Sequence, residues 1–266
     1  LFTGGGGAGT EALWRLYENR YEIHIADADI NTINPIVLPE NRHEIPWASS
    51  SDFLEKISDI CQKNNIDVLV PGVDEELYIL ALKADKLLPT KLMLPNVDFV
   101  ETMLDKLLMA KCLEKKELSV PLTHSLDEDF SDISFPCIVK PRKGRGSRGV
   151  KVLTTRDEAL VFKKTLGRAA DTYVIQNKIV GQEYTVQMAA DLNGKLLAIV
   201  PVKVGIKRGI TIAAEVDDEK NVIEACQLIH QSYPTKGCYN IQLILTEDGA
   251  VMPFEINPRV STTYCL

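Results

Sequence analysis

A short glycine-rich segment, residues 140–150, carries five basic residues within nine positions in the sequence KPRKGRGSRGV. Its glycines (Gly144, Gly146 and Gly149) let a loop fold closely over a ligand while its N–H groups donate hydrogen bonds. Lys140 adds a point charge from the preceding predicted strand. Because the whole chain has a formal net charge of -7, this positive charge is a local feature. The segment predicts a flap over a triphosphate, with a solvated basic hairpin or an RNA-contacting loop as alternatives.

A second group of polar residues ends a predicted strand in the sequence FEINPR. Glu255 and Asn257 alternate by two, so both side chains project from one face of the strand. Gln242, on the preceding strand of the same predicted hairpin, can reach that face. Carboxylate and amide oxygens are hard ligands suited to Mg²⁺, and Arg259 follows at a position suited to stabilising negative charge. The pattern predicts a magnesium site, with an exposed polar strand end as the alternative.

The N-terminal glycines, Gly4 to Gly9, fit the G-x-G-x-x-G pattern between a predicted strand and a helix. Asp27 ends the next predicted strand, as an acidic residue does in dinucleotide sites. One interpretation is therefore a dinucleotide site, which would make the protein an NAD-dependent oxidoreductase. The other is a glycine-rich turn that binds something else or nothing. The loop is not a P-loop, since no Gly-Lys-Ser/Thr follows it.

The composition limits the possible classes of protein. The chain has 266 residues, 45% apolar and 25% charged, which suits a folded protein of about two domains. The sequence contains no run of about 18 apolar residues, so no membrane helix is predicted. The excess of acidic residues argues against a general nucleic-acid or membrane-surface binder. The six cysteines are scattered singly, so neither a disulfide framework nor a zinc site is expected. Reduced, mostly buried thiols and a cytoplasmic location follow as expectations.

The first third of the chain alternates strand-like and helix-like segments. Leu1 to Thr3, Tyr21 to Ile25, Ile66 to Val70 and Leu92 to Leu94 form the predicted strands, and Thr10 is the expected N-cap of the first helix. Strands and helices in this order predict a parallel sheet with right-handed crossovers. Residues 1–96 are therefore predicted to form a Rossmann-like α/β domain.

From about residue 97 the pattern changes to two helices followed by strands and two hairpins, which predicts an α+β domain. This second domain spans 97–266, and its C-terminal end is expected to be incomplete. Phe254 and Ile256 are expected to point away from Glu255, into the core. The basic residues of 203–211 (Lys203, Lys207 and Arg208) are either ligand contacts or a solvated turn.

Five ordered motifs carry a family resemblance: LDK at 104–106, FPCIVK at 135–140, VIQNKIVGQEY at 174–184, YNIQ at 239–242 and FEINPR at 254–259. With them the chain resembles the ATP-grasp superfamily, in its carbamoyl-phosphate synthetase large-subunit and biotin-carboxylase-like branch. The resemblance covers nearly the whole chain. It implies a Rossmann-like pre-ATP-grasp domain followed by a two-lobed ATP-grasp domain.

The resemblance also implies a role for each matched position. These are Lys106 and Lys140 at the phosphates, Gly144, Gly146, Ser147 and Gly149 in a mobile flap, Gln176, Asn177 and Ile179 at adenine, Glu183 at ribose, Gln242, Glu255 and Asn257 at the metal, and Arg259 at the reacting phosphate. Lys140 and Arg259 are the implied catalytic residues. The Gly4 to Gly9 loop, Asp74 and Glu76 then become substrate-side features.

The activity implied by the resemblance is ATP-dependent carboxylate–amine ligation through an acyl phosphate, with small-molecule substrates and neither nucleic acid nor membrane as partner. ATP and one or two Mg²⁺ ions are the implied cofactors, with Mn²⁺ as a substitute. Because Glu255 is the single clear carboxylate, two ions would depend on phosphate oxygens of ATP. The NAD-dependent oxidoreductase, a non-catalytic ATP-binding module and a homo-oligomeric state remain open at this point.

Overall fold

A computed structural model describes residues 1–208, 210–261 and 263. Its helices are α1 (Ala8–Tyr17), α2 (Phe53–Lys63), α3 (Asp74–Leu82), α4 (Val97–Leu104), α5 (Lys106–Glu114), α6 (Arg156–Leu166) and α7 (Lys220–Ser232). Its strands are β1 (Phe2–Thr3), β2 (Ile25–Asp27), β3 (Arg42–Glu44), β4 (Val68–Leu69), β5 (Lys91–Leu92), β6 (Thr123–Ser125), β7 (Cys137–Pro141), β8 (Lys151–Leu153), β9 (Tyr173–Asn177), β10 (Gln182–Ala190), β11 (Leu196–Arg208), β12 (Ile210–Val216), β13 (Gly237–Leu245) and β14 (Val251–Asn257).

The N-terminal strands pair in parallel, as the alternation of strands and helices predicted. β1 to β3 form one short sheet and β4 with β5 another. A parallel bridge between Phe2 and Val70 brings the two together. Apolar residues of α2 and α3, including Phe53, Ile57 and Leu80, are fully buried in the core against these strands. The assignment of this region as a Rossmann-like domain stays a prediction.

Two local predictions in this region are wrong. Helix α1 begins at Ala8 with Gly7 as its N-cap, so Thr10 lies inside the helix. The Thr10 hydroxyl instead donates to the carbonyl of Gly4 at 2.8 Å and closes the glycine-rich loop. The strand predicted at Tyr21 to Ile25 begins at Ile25, because β1 pairs with Ile25 and its neighbour. Upstream of Ile25, Tyr21 and Glu22 are exposed, while Ile23 and His24 are buried and the carbonyl of His24 accepts from the N–H of Phe2 at 2.9 Å.

The rest of the chain builds two antiparallel sheets. One has five strands in the order β12-β11-β10-β13-β14, and the other has four in the order β6-β9-β7-β8. Helix α6 and strands β3, β6 and β12 have no counterpart in the sequence analysis. Strand β11 continues to Arg208 and pairs Lys203 with Glu215 of β12, so the solvated turn predicted as an alternative for 203–211 is wrong for Lys203 and Lys207.

Each of these sheets packs one face against helices and turns the other face towards its partner sheet. The five-stranded sheet buries residues such as Tyr184, Ile241 and Leu243 against α4, α5 and α7. Val139 and Ile175 of the four-stranded sheet pack against α6. Because side chains alternate along strands, the neighbouring residues of β7, β9, β10 and β13 face the space between the sheets. A site can therefore form there.

Helix α4 lies between the cores. Its Val100 packs in the cluster of the N-terminal elements, while Phe99 packs in the cluster under the five-stranded sheet. The predicted boundary between 96 and 97 stays a prediction. Cys61, Cys112, Cys137 and Cys226 are free thiols, and all of these but Cys112 are buried, as expected. Cys238 is also buried, and Cys265 lies outside the described residues. Within the described chain, no helix combines the length and the apolar character needed to cross a bilayer.

Candidate functional site

A cavity of about 340 Å³ lies between the two antiparallel sheets. Every residue expected at the nucleotide or at the metal borders it except Gly149. The expected residues at its walls are Lys106, Lys140, Gly144, Gly146, Ser147, Gln176, Asn177, Ile179, Glu183, Gln242, Glu255, Asn257 and Arg259. The structure thus brings together residues spread over more than 150 positions, and the role of each one remains a prediction.

Lys140 is a buried cation at this cavity. It lies on β7, is 5% exposed, and its Nζ donates to the carbonyl of Phe254 at 3.2 Å. The same Nζ lies 5.2 Å from the centre of the Phe254 ring, a cation–π distance. The pKa of Lys140 is lowered to about 8, mainly by burial and also by the nearby cations Lys106 and Lys207, against the opposing effect of Glu255. An anion entering the cavity would favour the charged form.

Lys106 joins the flap to the predicted metal ligand. It is the first residue of α5, which Asp105 caps through two backbone amides. Arg142 at the start of the flap segment holds Asp105 in an ion pair of 2.8 Å. The Lys106 ammonium lies 3.0 Å from Glu255 and donates to the carbonyl of Gly144 at 2.9 Å. One buried cation therefore contacts β14, which carries the predicted metal ligands, and the flap together.

The strand register places the predicted metal ligands on neighbouring strands. Gln242 of β13 is directly opposite Glu255 of β14, and Asn240 is opposite Asn257. The Asn257 amide donates to Asn240 at 3.1 Å, which fixes the orientation of its side chain. No group of three or more His, Cys, Asp or Glu side chains capable of holding a metal occurs among the described residues. A set of one carboxylate and two amides fits Mg²⁺, which commonly binds one or two carboxylates plus substrate phosphates.

Phe254 does not enter the core as predicted, whereas Ile256 does. Leu243 pairs with Pro253 while Gln242 pairs with Glu255, so Phe254 is the extra residue of a β-bulge. The bulge interrupts the alternation of side chains and places Phe254 in the cavity wall next to Glu255. There its ring lies beneath both Lys140 and Lys207. Strand alternation alone carried no signal for this bulge.

Lys207 is the member of the 203–211 cluster that reaches the cavity. Its ammonium forms an ion pair with Glu183, the predicted ribose ligand, and lies 3.3 Å from the side-chain oxygen of Gln242. Lys203 instead pairs with Glu215 near the sheet edge at 3.5 Å, and Arg208 is exposed. Strict alternation would place Lys203 and Lys207 on one face of β11, but register shifts between Val204 and Lys207 break that alternation and separate the two residues.

In the segment predicted to hold adenine, the amide side chains of Gln176 and Asn177 already form hydrogen bonds within the protein. Buried Gln176 donates to the Thr123 hydroxyl at 2.7 Å, and Asn177 accepts from the backbone N–H of Ser134 at 2.8 Å. Ligand contacts here would therefore come from backbone groups and from apolar neighbours. Sequence reasoning missed the apolar part of this wall, formed by Pro121, Ile138 and Ile244 beside Ile179.

Arg259 lies where this cavity meets a second one. Its guanidinium forms an ion pair with Asp74 of α3 and donates to the carbonyl of Val260 at 3.1 Å. The second cavity, of about 580 Å³, lies between the N-terminal glycine loop, the start of α3 and the flap. Arg145, Gly146, Arg148, Arg259 and Ser261 border both cavities. Bound ligands in the two cavities would therefore be adjacent.

The N-terminal glycine loop presents an acid to the second cavity. The backbone N–H of Gly6 donates to Asp27 at 2.9 Å, so a carboxylate occupies an amide that a dinucleotide phosphate would need. A Cβ on Gly6 would collide with the side chain of Thr32, so packing within the N-terminal elements explains this glycine. Glu76 is buried beside the loop, bonded to the Thr3 hydroxyl, and burial raises its pKa to about 7.

Comparison with known proteins adds a family assignment. The family model described as an ATP-grasp domain matches residues 103–263. The large chain of carbamoyl phosphate synthase from Buchnera aphidicola is 24% identical over 292 residues, covering 97% of this chain and 26% of that protein. D-alanine–D-alanine ligase from Bacillus anthracis is 26% identical over 227 residues, covering 83% of this chain and 66% of that protein. The chain thus spans about a quarter of the first relative and about two thirds of the second.

Solved structures share the fold. Carboxyaminoimidazole ribonucleotide synthase from Aspergillus clavatus complexed with ATP superposes with a TM-score of 0.76 at 16% identity, covering 98% of this chain and 70% of that one. Biotin carboxylase from Campylobacter jejuni gives 0.73 at 17% identity, covering 99% and 66%. The family model covers more than half of the chain, including both antiparallel sheets that enclose the first cavity. The chain belongs to the ATP-grasp family and within it resembles the carbamoyl phosphate synthase and biotin carboxylase branch.

Proposed function

We propose that the chain is an ATP-dependent carboxylate–amine ligase that forms an acyl phosphate between its two cavities. The observation that carries this proposal is Lys106, whose ammonium contacts Glu255 and the flap carbonyl of Gly144 together. A triphosphate in this place would meet Lys106, Lys140 and the flap at one end of the cavity. Arg259 would then be directly at the junction with the second cavity.

The proposed nucleotide position follows from the character of the cavity walls. The apolar wall around Ile138 and Ile179 suits a base, and Glu183 suits ribose hydroxyls once Lys207 leaves its carboxylate. Lys207 would be free to approach the phosphates. Glu255, Gln242 and Asn257 would hold Mg²⁺, which neutralises phosphate charge and polarises the transferring group. Mn²⁺ would suit the same oxygen ligands.

The proposed reaction has two steps. A carboxylate oxygen of the substrate attacks the γ-phosphorus of ATP, the bond from that phosphorus to the β-phosphate oxygen breaks, and ADP leaves. Arg259 stabilises the charge on the transferring group. An amine then attacks the acyl carbon, phosphate leaves, and the nitrogen loses a proton. The flap over the cavity would keep water from hydrolysing the acyl phosphate.

The organisation of the chain is part of the proposal. Residues 1–96 would form a Rossmann-like pre-domain that supplies the walls of the second cavity, and residues 97–266 would form the two-lobed grasp. Homo-oligomer formation is compatible with this arrangement. The alternative of an NAD-dependent oxidoreductase is disfavoured because Asp27 occupies the Gly6 amide.

The proposal is tested by measuring ADP release from Mg-ATP over a panel of carboxylates, including bicarbonate and amino acids, with hydroxylamine as the trapping amine. Hydroxamate formed in equal amount to ADP supports an acyl phosphate. ATP binding without ADP or hydroxamate for any acid would instead identify a non-catalytic ATP-binding module. NADH binding without ATP binding would favour the oxidoreductase.

A further inference from the structure

The second cavity has walls of opposite charge. Asp27 and Glu76 lie on the side of the glycine-rich loop and α3, and Arg148 lies on the side of the flap. Two further arginines there are already balanced, since Arg259 pairs with Asp74 and Arg145 pairs with Glu75 at 3.5 Å. Within the described chain Arg148 forms no ion pair. The carboxylate of Asp27 and the guanidinium of Arg148 are therefore charges that a ligand would balance, and an ammonium group beside Glu76 would favour the charged form of that acid.

The side of the second cavity that carries Asp27 and Glu76, called the loop wall here, presents hydrogen-bond acceptors. Both oxygens of Asp27 are fixed by backbone amides, at 2.9 Å from Gly6 and at 3.0 Å from Asp29, which holds the carboxylate in one orientation. Glu76 is 5% exposed and is anchored by Thr3. Because no described cation pairs with either acid, a positively charged donor from a ligand would complete this wall. A second anion here would be repelled.

An apolar surface lies between the charged walls. Phe2, Leu13 and Val70 contribute to it, and Trp47 borders the cavity with 72% of its surface exposed. An exposed tryptophan beside a cavity of about 580 Å³ offers an aromatic face to a ligand. The volume is within the usual range for small-molecule sites.

We propose that the second cavity binds an α-amino acid with an apolar side chain, as the substrate whose carboxylate is phosphorylated. Its ammonium lies against Asp27 and Glu76, its carboxylate against Arg148 and Arg259, and its side chain against Trp47. This inference rests on the proposed function, because Arg259 places the carboxylate at the junction with the nucleotide cavity. It deepens that function by naming the substrate class.

Tryptophan fluorescence tests the binding step separately from catalysis. The chain has two tryptophans, Trp14 and Trp47, so Trp14→Phe leaves Trp47 as the single reporter. This variant is titrated with alanine, valine, leucine, methionine and phenylalanine, then with the matched acid that lacks the amine and the matched amine that lacks the carboxylate. For leucine these are 4-methylpentanoate and 3-methylbutylamine. We expect at least one amino acid to shift the emission, with both matched compounds binding about tenfold or more weakly.

Asp27→Asn gives the residue-level test. It retains an oxygen for the Gly6 amide but removes the charge, so we expect amino-acid binding to weaken about tenfold while 4-methylpentanoate is unaffected. Asp29→Asn is the matched control, because Asp29 lies two residues away and does not border the cavity. Unchanged ATP binding in Asp27→Asn shows that the fold is intact.

The outcomes separate this inference from the proposed function. Equal binding of 4-methylpentanoate and leucine, or no emission change with any of the five amino acids, would overturn the inference. ADP release with carboxylates that lack an amine, at the same KM as their amino-acid counterparts, would keep the ligase and overturn the amino-acid assignment. Amino-acid binding without any ADP release would support the assignment and contradict the ligase.

Discussion

The guanidinium of Arg259 and the carboxylate of Asp74 form an ion pair across 185 positions of the sequence. Their side chains are 15% and 10% exposed, so the pair is largely shielded from water. Arg259 follows the strand that carries Glu255 and Asn257, whereas Asp74 begins helix α3 of the N-terminal elements. The orientation of the arginine at the junction of the two cavities therefore depends on the N-terminal part of the chain.

The two residues after Asp74 also make contacts to residues distant in the sequence. Glu75 pairs with Arg145 of the flap at 3.5 Å, and Glu76 bonds to Thr3 beside the glycine-rich loop. One turn of helix thus contacts Arg259 just beyond β14, the flap and β1. Acidic side chains also stabilise a helix N-terminus. The same three acidic residues therefore stabilise the start of α3 and make these contacts.

Asp74→Asn should reduce kcat about 10- to 100-fold with little change in the KM for ATP, because a misplaced catalytic group costs up to about 10²-fold. The substitution keeps the shape of the side chain but removes the charge that orients Arg259. Steady-state kinetics with the acid that gives ADP release provides the measurement. Arg259→Ala should lower kcat at least as far.

The control for this prediction is the double variant. If Asp74 acts through Arg259, then Asp74→Asn in the Arg259→Ala background should change kcat little further. Two independent, multiplicative losses would show that Asp74 acts on something else. Unchanged kcat in Arg259→Ala would contradict the role proposed for the arginine.

Glu255→Gln should raise the Mg²⁺ concentration needed for half-maximal ATP binding by about tenfold or more, because it removes the one carboxylate of the proposed site. Calorimetric ATP titrations at several Mg²⁺ and Mn²⁺ concentrations measure this. ATP binding without a metal should be preserved, since Lys106 loses its ion-pair partner and is free for phosphate. Glu247→Gln, on the exposed turn before β14, is the control. An unaltered Mg²⁺ requirement would show that the ion binds elsewhere.

The lowered pKa of Lys140 predicts that ATP binding depends on pH. Its pKa is lowered to about 8, so the free protein holds a cation there below pH 8 and loses it as the pH rises. The KM for ATP should therefore rise between about pH 8 and 9.5, by up to about tenfold for each pH unit above that pKa. Lys140→Arg keeps its charge throughout this range, so its profile should be flatter. Parallel profiles for the two proteins would assign the dependence to another group.

The sequence predicted those parts of the site that local patterns encode. Glu255 and Asn257 follow from alternation within one strand, and the flap follows from glycines and basic residues within one loop. Phe254 was misplaced, because its bulge depends on pairing with β13. The Asp74–Arg259 pair was also out of reach, because it depends on how α3 packs beside β14.

The elements that the sequence did not predict were missed for identifiable structural reasons. Helix α6 buries Ala159 alone among its residues, so its apolar periodicity is weak. Strand β12 pairs with β11 on one side only, at the end of the five-stranded sheet. Lys207 could not be separated from Lys203 until the register shifts of β11 against β12 were known. For β12 and Lys207, long-range strand pairing supplied what the residue pattern lacked.

Flap conformation gives the last prediction. Gly146 has a φ of +66° and a Cβ there would contact nothing within 4 Å. Gly146→Val should therefore act by strain in the backbone, about 1–3 kcal/mol at a left-handed position, which favours a different flap conformation. We expect the KM for ATP to rise several-fold, measured by ADP release.

Gly167→Val is a control for this prediction, since Gly167 has a φ of +56° with equally open space but caps α6 away from both cavities. Both variants should lose stability in thermal unfolding, and only Gly146→Val should change the ATP dependence. An equal KM in the two variants would show that the flap does not limit nucleotide binding.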